Sequence, residues 1–438
     1  MEFQYNGIPM QVMQKKLNIF LYFILCFIIF FFIFTHSANL EYDTPSYINF
    51  DPIRPPLYPL FIWLFRWAGS YQFNLVIFTH GILLFLSFLY TRNWLNLNLK
   101  IPNFFILLIF LFILLTISFH FQLLYIQAEG ITFPLFIITF FLLIDCFYQF
   151  NVVKISFLAL LVSLLVLSRL QFYYFYCIFS LLCLWYYWQR IPIQSMILSI
   201  IIFLGSIITT HVIDHGYHYF KHGFFGMAPY SGSLILVQTL YLTDDHAANY
   251  FKKPEIKEIV QKLVDMRNTK NLNQDSALTA FYKPSYYEYA YQTYARNYSA
   301  FSEIIFDILY TNKFLSYTNL SKLQSNNIAS AINKTLIIQD PKKNLLFFLW
   351  KLIKCIEGVT LFLFLLIILI VSLFKIIRFK IKKLDRASLF IILIPIITFF
   401  NAAIIAICNP YLPPYFCYSQ FMLYCLAAFL AKNYSSIN

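Results

Sequence analysis

Charge is what this chain has least of. Asp, Glu, Lys and Arg supply 12% of its 438 residues and apolar types supply 60%, against about 25% and 45–50% in a soluble domain. That balance excludes a water-soluble globule for most of the chain and leaves a polytopic membrane protein. Alternating apolar and polar runs with hairpin turns are missing, so neither a β domain nor barrel strands are expected. No repeat of fixed period is present. The eight cysteines supply no disulfide framework: Cys26, Cys146, Cys177, Cys183, Cys355 and Cys425 lie within or beside apolar runs, where a reduced thiol behaves as a small apolar residue. Cys408 and Cys417 flank the last outer turn, and a bridge between them is left open. Behind the first apolar run there is no small-residue cleavage site, so a retained helix is expected and not a removed signal peptide.

What is present is a series of apolar runs of about 20 residues, enough to cross roughly 30 Å of hydrocarbon. They fall at 17–35, 73–91, 101–119, 130–150, 153–168, 170–188, 193–210, 357–376, 387–407 and 412–431. The expected fold is an all-α polytopic membrane protein with about ten transmembrane helices. Lys15, Lys16, Arg92, Lys100, Lys154, Arg190 and the cluster Lys375, Arg378, Lys380, Lys382, Lys383 and Arg386 all fall on one side of such a model. The positive-inside bias makes that side the cytoplasm and puts the N-terminus there. The net charge of +13 therefore needs no nucleic-acid partner.

Three regions follow: an N-terminal transmembrane module at 1–210 with a first outer loop at 36–60, an extracytoplasmic and mostly helical region at 211–343 between spans 7 and 8, and C-terminal transmembrane helices at 344–438. Within the middle region Ile256, Ile259, Val260, Leu263 and Val264 recur at offsets of 3, 4, 7 and 8, the single-face spacing of an amphipathic helix. The Tyr-rich run 285–309 is read as another helix.

This topology collects Glu41, Asp43, Asp51, Arg54, His120, Glu129, Arg169 and Tyr411 to Tyr415 at the outer boundary. Glu129 and Arg169 each abut the end of an apolar span, where an unpaired charge is costly, so each calls for a partner or a wet cavity. In the first outer loop, Glu41-Tyr42-Asp43 is followed by Arg54-Pro55-Pro56-Leu57-Tyr58-Pro59.

That order resembles the GT-C glycosyltransferases, integral-membrane enzymes that take a sugar from a polyprenyl-phosphate donor. Members carry an acidic motif after the first helix, and many bacterial ones follow it with a phrase like Arg-x-Pro-x-Tyr-Pro. Glu129 opening span 4, Ser168-Arg169 closing span 5 and the turn Asn409-Pro410-Tyr411-Leu412-Pro413-Pro414 are weaker echoes. Pro410 stands where many relatives have Arg, and no His-Lys-Glu motif of the eukaryotic dolichol enzymes is present. The resemblance implies a bacterial inner-membrane enzyme, its site facing the periplasm, moving a sugar from the lipid carrier to a lipid, glycan or protein acceptor.

Inverting transfer needs a base for the acceptor hydroxyl and a cation for the leaving phosphate. Asp43 is the expected base and Glu41 the substitute; Asp43 alone also reads as an N-cap ahead of Thr44-Pro45. Arg54 and Arg169 are the phosphate candidates, because a guanidinium grips phosphate oxygens in pairs. Glu129 and Tyr58 are placed at the same donor region, Tyr58 as a shaper of the loop. Arg169 alone also reads as an interfacial anchor.

His211, His215, His218 and His222 lie on one helical face, spread over roughly 16 Å. His211 and His215 form an i, i+4 pair able to chelate a metal; the alternative is a polar stripe where span 7 leaves the membrane. No cofactor is required by the sequence. Two other functions compete. An O-antigen-type polymerase or ligase relies on several outer arginines, and the middle region has Arg267 and Arg296. A flippase or transporter needs mid-span charge and broken helices, where the spans show only Pro134, Pro395 and Asn401.

Overall fold

A computed structural model describes residues 10–41, 43–116, 123–272, 284–310, 319–379 and 383–435. Tyr42 and His120 lie outside the described residues. Helix α1 (Met10–Thr35) leads into a loop that carries α2 (Thr44–Ile48) and α3 (Leu57–Trp63). Six helices follow: α4 (Gln72–Leu99), α5 (Asn103–Leu115), α6 (Glu129–Tyr148), α7 (Val152–Ser168), α8 (Tyr174–Trp188) and α9 (Ile193–His222). A second group consists of α10 (Ser231–Leu242), α11 (Pro254–Thr269), α12 (Pro284–Tyr310), α13 (Asn319–Gln339) and α14 (Pro341–Cys355). Last come α15 (Val359–Arg378), α16 (Arg386–Cys408) and α17 (Pro413–Ser435). Among the described residues there is no strand, only one parallel bridge between Asn39 and Tyr125.

Among the described residues a helix lies in each of the ten expected apolar segments. Among the described residues, six are long and apolar enough by length and composition to cross a membrane: Arg66–Leu99, Glu129–Tyr148, Ile193–His222, Val359–Arg378, Arg386–Cys408 and Pro414–Tyr434. The segments in α1, α5 and α7 are apolar but shorter.

The faces of these helices are inverted relative to a soluble protein. On α9 the buried positions are Ser199, Ser206, Thr210, Asp214 and His218, while Ile197, Ile201, Leu204, Ile208 and Val212 are exposed. Leu365 is the buried residue of α15, whose Leu363, Ile367, Ile370 and Phe374 project outward. Faces of this kind are stable against lipid and not against water. Inside, hydroxyls pair across helices, as Ser163 with Ser206 at 2.9 Å and Tyr176 with Thr210 at 2.8 Å.

Polar groups gather at the two ends of the bundle. At one, the Asp145 carboxylate accepts from Lys154 Nζ at 2.7 Å, Arg386 Nε at 3.0 Å and Trp94 Nε1 at 3.3 Å, tying α4, α6, α7 and α16 together. At the other lie the loop with α2 and α3, the start of α6, the end of α7 and the helices α10 to α14.

Helices α10 to α14 enclose their own apolar core, which includes Leu236, Leu240, Val260, Leu263, Tyr294, Ile305, Ile332 and Phe347. Phe347 belongs to α14, so α14 packs with this group and residue 344 falls inside a helix. Likewise α9 runs unbroken from Ile193 to His222 and stops at Gly223 in the left-handed region, φ 78°, so residue 211 is also mid-helix. Arg267 is fully buried, and its guanidinium donates to the carbonyls of Leu240 at 2.7 Å and Thr243 at 2.8 Å, satisfying the end of α10. The tyrosine face of α12 fastens the unit to the bundle: Tyr298 donates to Asn409 Oδ1 at 2.7 Å, and the Tyr411 amide donates to the Tyr291 hydroxyl at 2.9 Å.

Lys351 of α14 is buried in the same seam, donating to Gln238 Oε1 at 2.7 Å. Burial pushes its ammonium down to about 7, because the charged form loses hydration. The unfolded chain, titrating near 10, therefore binds the extra proton between about pH 7 and about pH 10, and stability must rise with pH across that window. Thermal unfolding of the detergent-solubilised protein should show this rise, and Lys351→Met should flatten it and raise the midpoint at neutral pH. An unchanged slope in Lys351→Met would place the titration elsewhere.

Candidate functional site

The loop after α1 is held by backbone before it is held by side chains. The Asn39 amide donates to the Leu124 carbonyl at 2.8 Å, the Ile126 amide returns to the Asn39 carbonyl at 3.1 Å, and Thr44 Oγ1 donates to the Ile126 carbonyl at 3.3 Å. The segment that grips the loop thus ends at Ala128, and Glu129 opens α6 immediately after it. Loop and carboxylate are placed by one piece of chain.

Pro45 lies in the first turn of α2, where its fixed φ suits the helix. Asp43 occupies the N-cap position, yet its side chain makes no capping hydrogen bond and instead pairs with Arg54 at 2.5 Å. Arg54 also donates to Ser46 Oγ at 2.7 Å and the Tyr47 hydroxyl at 3.2 Å. Asp43, Ser46 and Tyr47 are thereby brought onto one face at offsets of 3 and 4. Among the described residues the Glu41 side chain makes no ion pair; its backbone amide donates to Thr44 Oγ1 at 2.8 Å. Asp51 pairs with Lys322 of α13 at 2.6 Å, linking the loop to the group α10 to α14.

Glu129 and Arg169 form an ion pair, Glu129 being 2% exposed. The guanidinium also lies over the Tyr415 ring, 4.6 Å from its centroid. Tyr47 stands between the two ion pairs: burial pushes its hydroxyl up to about 12, with Arg54 and Arg169 opposing and Glu129 and Asp43 adding. It is a neutral phenol at physiological pH. Burial would also lower the pKa of Arg54, but Tyr47 and Asp43 beside it hold the guanidinium above its usual value.

Tyr58 is fully buried. It meets Tyr47 edge to face at 4.9 Å and stacks near His80 of α4 at 6.0 Å, while Phe61 stacks on the same imidazole at 5.7 Å. A Cβ on Gly130 would overlap the His80 ring, so glycine beside Glu129 is what lets His80 support α3. His80 was not among the expected site residues, although a histidine within an apolar span is a signal in itself.

Two cavities flank α2 and share Asn49. One, of about 420 Å³, is lined by Asp43, Ser46, Asp51, Arg54, Tyr230, Glu303, Phe306, Asp307 and Lys322. The other, of about 680 Å³, is mostly apolar, with Leu60, Ile62, Trp63 and Phe220 beside Arg66 and Lys221. Among the described residues neither Arg66 nor Lys221 makes an ion pair; Lys221 lies over the Phe50 ring at 4.6 Å.

The histidine stripe divides between two environments. His211 and His215 are half-buried with ring centroids 5.5 Å apart, whereas Asp214 and His218 are buried and face each other at 3.5 Å. Among the described residues no group of three His, Cys, Asp or Glu side chains is placed to hold a metal ion.

No protein-family model, curated protein or solved structure matches this chain. What the site can do rests on its own chemistry: two ion pairs at the polar end of an apolar bundle, a carboxylate at a polar cavity, and cations beside an apolar one.

Gly130→Ala should cost about 1–3 kcal/mol by overpacking against His80. The double variant Gly130→Ala with His80→Ala should recover part of that loss, a coupling that a double-mutant cycle of thermal unfolding measures. Strict additivity would show that the two residues do not press on one another.

Proposed function

We propose that the protein is a membrane glycosyltransferase that moves a sugar from a polyprenyl-phosphate donor to an acceptor on the outer face of a bacterial inner membrane, within a bundle of about ten crossings. The observation that carries this reading is the pair of cavities on either side of α2. The apolar one, with Arg66 and Lys221 at its wall, suits an isoprenoid chain ending in phosphate. The polar one presents Asp43, a carboxylate able to accept a proton.

In the proposed reaction the acceptor hydroxyl gives its proton to Asp43 as its oxygen bonds to the anomeric carbon. The bond from that carbon to the phosphate oxygen breaks, and its electron pair leaves on polyprenyl phosphate. Arg54 is the cation nearest the base. An arriving phosphate competes with Asp43 for its guanidinium, and every hydrogen bond that passes to the phosphate frees the carboxylate to act. Arg169 and Glu129 have a different part in this scheme: their charges are spent on each other, so Arg169 would meet phosphate only by sharing. Removing either partner of such a buried pair costs about 3–5 kcal/mol. Tyr58 serves as a packing residue under the loop. Glu41 remains the substitute base, and His211 and His215 have no step.

The polymerase or ligase alternative loses support from Arg267, which is spent on backbone carbonyls inside the outer unit. The transporter alternative would be favoured by unpaired charge in mid-bundle.

Asp43→Asn should abolish transfer from a short-chain donor in detergent while leaving expression and insertion intact, since it changes little volume. Turnover retained in Asp43→Asn but lost in Glu41→Gln would move the base to Glu41, and loss in neither would remove this mechanism. Orientation is checked separately by reporters. One at Asn271 should read out the periplasm and one after Lys383 the cytoplasm, with the opposite pattern removing the outer-face site.

A further inference from the structure

We propose that the crevice between α15 and the start of α16 is a binding site for an anionic phospholipid of the surrounding membrane, with an acyl chain in the crevice and the phosphate on Lys375. The site is independent of sugar transfer. It lies at the Asp145 end of the bundle, where Arg386 of α16 reaches Asp145 at 3.0 Å, and not at the end that carries Asp43.

Helix α15 is held loosely, with Leu365 as its buried residue, and two crevices run along its seam with α16. One, of about 350 Å³, is walled by Ile368, Val371 and Ile391 and has Ser372, Lys375 and Ser388 as its polar residues. The other, of about 280 Å³, is lined by apolar residues of α8, α15 and α16 and has no charged residue in its wall. Ile376, Leu384 and Ile392 line both, so the second crevice offers an apolar surface beside the first for the lipid's other chain.

The charge selects the headgroup. From Lys375 to Arg386 the described residues carry four cations and one carboxylate, Asp385. Arg386 is spent on Asp145, and Asp385 is spent on capping α16, where it accepts from the Ser388 amide at 2.9 Å. Lys383 lies over the Tyr148 ring, 5.9 Å from its centroid. Lys375 and Arg378 are exposed, one helical turn apart, and among the described residues neither makes an ion pair. The crevice therefore matches a molecule that is apolar along its length and anionic at its end, and cations at such helix ends recognise anionic headgroups. A zwitterionic lipid has the same chains, but its ammonium group meets Lys375 and Arg378 as like charge. A soluble anion leaves the apolar walls uncovered.

The test uses the full-length protein, purified in detergent and stripped of lipid, and reads native mass spectrometry beside thermal unfolding. Phosphatidylglycerol should stay bound and raise the unfolding midpoint, whereas phosphatidylcholine with the same chains and inorganic phosphate should do neither. Lys375→Gln, an exposed change, should weaken phosphatidylglycerol about fivefold, the scale of one cation at a lipid headgroup, and adding Arg378→Gln should weaken it further. Lys100→Gln, also exposed and at the same end of the bundle but outside the crevice, should leave binding unchanged. Equal losses in Lys375→Gln and Lys100→Gln would reduce the site to diffuse surface attraction and overturn the assignment. Retention of phosphatidylcholine as strong as that of phosphatidylglycerol, or stabilisation by inorganic phosphate alone, overturns it as well.

Discussion

A charged carboxylate buried in an apolar bundle is costly without a cation beside it, and the Glu129–Arg169 pair is that constraint here. A lone charge at 2% exposure would cost several kcal/mol to desolvate, so the start of α6 and the end of α7 cannot drift apart. Tyr415 adds a ring face to the same guanidinium and brings in α17. Because the segment ending at Ala128 also grips Asn39 and Thr44, the position of the first loop follows from the position of Glu129. Asp43, Arg54 and Tyr47 are placed one step further out, on a platform already fixed.

The unit of α10 to α14 is tied to that platform by polar contacts at its edges and apolar packing in its middle. Tyr291 and Tyr298 bind the turn before α17, Lys322 binds Asp51, and Lys351 is enclosed behind them. Two packed units with a polar seam leave room at the seam. The polar cavity therefore lies where the first loop meets α12 and α13, and the apolar one where it meets the end of α9. The charge on each cavity wall follows from which unit supplies it.

Much of this fold was legible in the sequence, because an apolar run of 20 residues needs no partner to be read. Among the described residues each of the ten such segments carries a helix. Boundaries were less legible: residue 211 falls within α9 because Gly216 is tolerated inside a helix, and residue 344 within α14 because Phe347 packs backward. Of the candidate site, Asp43, Arg54, Glu129, Arg169 and Tyr58 were visible by type and position, while their pairings were not. Arg54 reaches 11 residues back to Asp43, Arg169 reaches 40 back to Glu129, and Lys322 reaches 271 back to Asp51; separations like these leave no period to detect. His80 escaped notice for the same reason. The histidine stripe was seen, but which of its members are buried depends on how α9 faces its neighbours.

The central claim is that a sugar leaves a lipid phosphate at the outer face. Its most direct test is mass spectrometry of lipid-linked sugars and envelope glycans from cells with and without the gene. The structure-based reading predicts that loss of the gene accumulates one polyprenyl-phosphate sugar and removes that same sugar from an envelope glycan, lipid or protein. Unchanged lipid-linked sugars together with unchanged glycans would contradict it.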